Sequence, residues 1–73
     1  MDAEHWIAAY AERLGTEPPT AAELEAILEL AGEAAHASER RAAPVATWLS
    51  AKAGRSLAES LALARTVARA PES

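Results

Sequence analysis

A chain of 73 residues with a net charge of −4 and no cysteine has room for one hydrophobic core and three or four short helices, but not for a deep enclosed cavity. The lack of cysteine excludes disulfides and thiolate chemistry and fits a reducing compartment, and the acidic balance argues against general attraction to nucleic acid or anionic lipid. No apolar run approaches the ~20 residues that span a bilayer and the N-terminus lacks the basic-then-apolar order of a signal peptide, so a single cytoplasmic domain over residues 1–73 is expected.

The first predicted helix covers about residues 3–14. Asp2 is placed to cap it, and Trp6, Ile7, Tyr10 and Leu14 repeat with helical period as its buried stripe. Gly15 ends it, because glycine tolerates the left-handed conformation after a last turn. Thr16-Glu17-Pro18-Pro19 follows as a stiff connector in which each proline fixes its own φ and pushes the preceding residue out of the helical region.

Thr20 and Glu23 have the spacing of a capping box and start a second helix over about 21–41. Leu24, Ile27, Leu28, Ala31, Ala34, Ala35, Ser38 and Ala42 form its expected core stripe, rich in small side chains, with Leu30 off the stripe and suited to a second contact. On the other side Glu25, Glu29, Gly32, His36 and Arg40 line up within about 80° of arc. Gly32 stands one turn below His36. It marks either a close backbone crossing or a notch beside the imidazole.

Ala43-Pro44 breaks this pattern, and Pro44 suits the first turn of a third helix over 44–53 because its missing N–H would find no partner there. Val45, Trp48 and Leu49 supply the inward face and Gly54 the stop. Ser56 and Glu59 repeat the capping box and open a fourth helix over 57–69. Leu57, Leu61, Ala64, Val67 and Ala68 point inward, Arg65 and Arg69 outward, and Pro71 follows the helix.

Four helices, short connectors and no strand signal give an all-α fold, a compact four-helix bundle or orthogonal helical array. The large apolar residues are few, so Trp6 and Trp48 are expected to dominate the core. A dimer is the natural remedy if one copy cannot cover Leu30, Leu63 and both indoles. Charge is unevenly spread. Residues 1–37 carry eight acidic side chains against one basic, net −7, whereas residues 38–73 carry six basic against three acidic, net +3.

Little in the chain suggests catalysis. The two histidines, His5 and His36, and the absence of cysteine leave too few ligands for a self-contained zinc site. His5 reads as surface decoration. Ser38, Ser50 and Ser60 have no histidine at a spacing that suggests an activated nucleophile, and no glycine-rich phosphate loop occurs. A helix-turn-helix reading fails because residues 44–53 carry a single basic side chain, Lys52.

The one dense polar set lies at the expected corner between helices two and three. On a continuous helix His36 and Arg40 share one face, so a guanidinium and an imidazole there would bind a phosphate or carboxylate. The competing reading is a helix-face ladder, with Arg40 paired to Glu33 or Glu39 and His36 favoured by the helix dipole.

The run His36-Ala37-Ser38-Glu39-Arg40-Arg41-Ala42-Ala43-Pro44, followed by Thr47-Trp48-Leu49, resembles a small uncharacterised bacterial helical domain. That domain is found alone or fused C-terminally to molybdenum-cofactor guanylyltransferases, the enzymes of molybdopterin-guanine dinucleotide biosynthesis. The likeness covers about residues 5–68, including the tryptophan-led first helix. Ala37 and Ser38 stand where that domain often has glycine and an aliphatic residue, and Arg41 where it often has proline, while His36, Glu39, Arg40 and Pro44 keep register.

The resemblance implies a non-catalytic accessory or binding domain near molybdenum-cofactor guanylylation. Taken with the polar corner read from the residues, it gives a contact surface of His36, Glu39, Arg40, Gly32 and Pro44, with an anionic ligand or a guanylyltransferase as the expected partner. It does not imply transferase activity, since the nucleotide-binding α/β domain is not in this chain. The alternative is a structural homo-oligomer, such as a homodimer, with no ligand. No catalytic residue, metal, cofactor, nucleic-acid partner or membrane contact is expected.

Overall fold

Four helices follow one another in the expected order: α1 (Ala3–Leu14), α2 (Ala21–Ala37), α3 (Ala42–Ala53) and α4 (Leu57–Ala64). The computed structural model describes residues 1–67, and no strand occurs among them. The chain forms the all-α bundle that its periodicity predicts. Helix α2 is the shared support on which both α3 and α4 pack, and α1 makes no comparable contact with any other helix.

The helix starts are set locally. The Asp2 carboxylate accepts from the His5 backbone N–H at 2.8 Å. Thr20 and Glu23 form the full capping box, the Thr20 N–H donating to the Glu23 carboxylate at 2.8 Å and the Glu23 N–H to the Thr20 hydroxyl at 3.1 Å. Ser56 and Glu59 repeat it at 3.4 and 3.1 Å. Each cap satisfies N–H groups that the first helical turn leaves without partners. Helix α1 stops as expected at Gly15, with φ 80°, where the Gly15 N–H donates to the Glu12 carbonyl and the Thr16 N–H to the Ala11 carbonyl, both at 3.0 Å. This Schellman pair closes the last turn.

The boundaries of α2 and α3 differ from expectation. Helix α2 ends at Ala37 instead of Arg41, and α3 begins at Ala42 instead of Pro44. Ser38 leaves the helical region at φ −133°, ψ −97°, and the carbonyls of Glu39 and Arg40 then accept from the N–H groups of Ala42 and Ala43 at 2.9 and 3.1 Å. The cause lies downstream. In one continuous helix the Pro44 ring would clash with the Arg40 carbonyl, four residues earlier, and could not donate to it. The break falls before Arg40, and Pro44 still lies in the first turn of α3.

Helix α4 ends at Ala64 instead of residue 69. There the Thr66 and Val67 N–H groups donate three residues back, to Leu63 and Ala64, at 3.0 and 3.2 Å, and the Thr66 hydroxyl also donates to the Leu63 carbonyl at 2.6 Å. These i→i−3 bonds tighten the last turn. The expected inward Ala68, outward Arg69 and terminating Pro71 lie outside the described residues.

The core also differs from the expected stripe. Leu30, placed off that stripe by the sequence pattern, is the most buried large side chain at 2% exposure, whereas Leu28 is 62% exposed. The face of α2 that meets α3 and α4 therefore runs through Leu30, Ala34 and Ala37, with Ile27 half-buried beside it. Trp6 and Trp48, expected to dominate the core, are 56% and 60% exposed. Helix α1 buries Ala11 and half-buries Ile7, the one member of the expected Trp6–Ile7–Tyr10–Leu14 stripe that turns inward, because Ile7 shares a groove with Pro19 and Leu24.

Candidate functional site

The α2–α3 corner carries the predicted site residues. Gly32 is half-buried on α2, His36 is the next-to-last residue of the helix and is exposed, Glu39 and Arg40 lie exposed in the turn, and Pro44 is exposed in the first turn of α3. Because α2 stops at Ala37, His36 and Arg40 belong to different local structures. The single helical face expected to carry both does not form.

The polar contacts at the corner are sparse. Glu39 pairs with Arg41, Nε to carboxylate oxygen, at 2.6 Å, and among the described residues no ion pair joins it to Arg40, one of the two pairings that the ladder reading offered. Among the described residues neither the His36 imidazole nor the Arg40 guanidinium makes a hydrogen bond or an ion pair. Glu29, on the same side of α2, meets Arg65 of α4 at 3.8 Å and links the two helices at the surface. A Cβ added at Gly32 would touch nothing within 4 Å. The glycine is therefore not there to admit a neighbouring backbone.

A second feature was not singled out in the sequence. Helices α2, α3 and α4 leave an open groove between them, lined by Ala37, Val45, Ala46, Leu49, Ala64 and Val67, and a contiguous groove extends it to Leu30 and Leu63 with Arg55 at its edge. Small-ligand sites combine apolar walls with a few converging polar groups. These walls are nearly all aliphatic. Trp48 stands beside them on α3, with the Lys52 ammonium 4.9 Å from its ring centroid. The sequence held a usable signal in its excess of alanine: short helices, here of 12, 17, 12 and 8 residues, that meet through alanines bring backbones close and leave little interior volume for two indoles.

Among the described residues no three histidine, cysteine or carboxylate side chains gather as a metal site, and no helix is long and apolar enough to cross a membrane.

The domain-of-unknown-function model DUF6457 matches residues 1–73. The chain belongs to this family. No curated protein and no solved structure matches it. The family match spans α1 as well as α2–α4, so the loosely attached first helix is an integral part of the DUF6457 domain.

Proposed function

We propose that this DUF6457 domain is a non-catalytic accessory module that acts in the cytoplasm beside molybdenum-cofactor guanylylation. It docks through the α2–α3 corner on a guanylyltransferase or on an anionic group of the molybdopterin type. The observation that carries this reading is the state of His36 and Arg40: both side chains are exposed and neither has a partner among the described residues. A guanidinium not held by the protein's own carboxylates can offer its paired N–H donors to a phosphate or carboxylate. The likeness of the run from His36 to Pro44 to the domain that accompanies guanylyltransferases supports the context.

Calorimetric titration of the domain with a molybdenum-cofactor guanylyltransferase, and separately with molybdopterin-type phosphates, tests the reading. Arg40→Ala is expected to weaken binding by about tenfold or more, the scale of one lost hydrogen bond to a charged group. Equal binding by the wild type and the variant overturns it.

A second reading is favoured by a separate observation. Trp6, Tyr10, Leu14, Val45, Trp48 and Leu49 are each more than half exposed, a large share of the chain's big apolar side chains. On this reading the domain is a structural homo-oligomer, and sedimentation over a concentration series tests it by looking for a mass that rises with concentration.

A further inference from the structure

The chain exposes 5963 Å². A folded monomer of 7.7 kDa exposes about 4,300 Å², so the excess is about 1,600 Å². Even if the six residues after Val67 contributed as much surface as an unfolded chain, about 900 Å², the other residues would expose about 5,100 Å² against about 4,100 Å² for a folded chain of their size, still an excess of about 1,000 Å². A standard specific interface takes about 800 Å² from each partner. The surplus is therefore of the size that one stable contact removes.

The exposed apolar surface has two parts of different shape. Helix α1 presents a convex ridge of Trp6, Tyr10 and Leu14, one turn apart along the helix, with the two rings stacked at 5.2 Å. The α2–α3–α4 unit presents the concave aliphatic groove around Leu49, Ala64 and Val67. The ridge lies in an acidic segment, residues 1–20 at net −3, while the charged lining of the groove is one side chain of each sign, Glu33 of α2 and Arg55. In the chain itself the Pro18-Pro19 connector fixes the path out of α1, and α1 packs substantially on none of the other three helices.

We infer that the groove on α2–α4 is the docking site for α1 of a second copy of this chain, and that two copies exchange their first helices reciprocally. The exchange is closed and two-fold symmetric: ridge meets groove twice, and no sticky surface is left to propagate a filament. Each copy loses Trp6 and Tyr10 to the aliphatic walls of the other. This inference rests on the self-association reading above and adds the surfaces that meet.

The experiment uses sedimentation equilibrium of the full chain and of two variants, with circular dichroism confirming that each stays helical. Trp6→Asp damages the ridge alone, and Leu49→Asp damages the groove alone. The wild type is expected to dimerise, and each variant to weaken dimerisation by about a hundredfold or more, as loss of a central interface anchor does. An equimolar mixture of the two variants is expected to recover a heterodimer, since the intact ridge of one fits the intact groove of the other. A wild type that stays monomeric up to millimolar concentration overturns both self-association and the exchange. A wild-type dimer whose two variants fail to complement overturns the exchange alone, because ridge-on-ridge or groove-on-groove packing gives that result. Should either aspartate unfold the chain, Trp6→Ser and Leu49→Ser are read in the same way.

Discussion

Trp6 and Tyr10 stack one helical turn apart, 5.2 Å between ring centroids and 30° between ring planes, on a face of α1 where both stay more than half exposed. Leu30 is the opposite case, an aliphatic side chain at 2% exposure on the helix that supports both α3 and α4. The size of a side chain therefore does not tell its weight in the fold. Leu30→Ala is expected to cost about 2–5 kcal/mol, the transfer term plus the cavity left behind, which approaches the whole stability of a domain this small. Trp6→Ala, in a solution dilute enough to be monomeric, should cost less than about 1 kcal/mol because little is lost from an exposed ring. Thermal melts of both variants at micromolar concentration check the order, and an equal loss would place Trp6 in the monomer core.

The caps give a sharper comparison. Ser56→Ala and Thr20→Ala each remove a capping hydroxyl, a change worth about 1 kcal/mol. Helix α2 has 17 residues and packs on two neighbours, whereas α4 has only 8. The same loss should therefore have different reach. Hydrogen exchange is expected to show the α4 amides opening locally in Ser56→Ala while α2 stays protected, and Thr20→Ala to lower global stability with fraying confined to the first turn of α2. Uniform loss of protection in both variants would mean that α4 does not open separately from the rest.

These contrasts show what the sequence carries. Side-chain caps and the glycine stop of α1 were legible because a capping box or a helix-ending glycine is a local device: Thr20 with Glu23, Ser56 with Glu59 and Gly15 act where they stand. The inward face of α2 was harder to read, because in a helix with Leu or Ile at 24, 27, 28 and 30 two overlapping stripes fit the 3.6 period. The neighbours decide between them. At the corner, Pro44 announced a break, but whether the chain unwound before or after Arg40 depended on the ring's clash with a carbonyl four residues back. That shift of four residues moves Arg40 from the helix into the turn.

Because Arg40 and His36 are not held by contacts among the described residues, their removal should leave the fold alone. Arg40→Ala and His36→Ala are each expected to change stability by no more than about 0.5 kcal/mol, as surface substitutions without a structural role do. Denaturant titration gives the test. A loss above about 1 kcal/mol for either variant would show that the side chain braces the turn, and the corner would then belong to the scaffold and not to a binding surface.

Gly32 separates stability from binding. It sits inside α2, where glycine costs about 1 kcal/mol relative to alanine, and a methyl group added there meets nothing within 4 Å. Gly32→Ala is therefore expected to raise stability by about that amount, since the unfolded chain loses freedom and the folded one gains no clash. One turn along the same helix stands His36. If the open space beside the imidazole receives part of a docked guanylyltransferase or phosphate, the same methyl weakens binding while the melting temperature rises. Measuring both on one variant decides the matter. A higher melting temperature with unchanged affinity removes Gly32 from the contact surface, and a lower one means that the helix needs the glycine for a reason of its own.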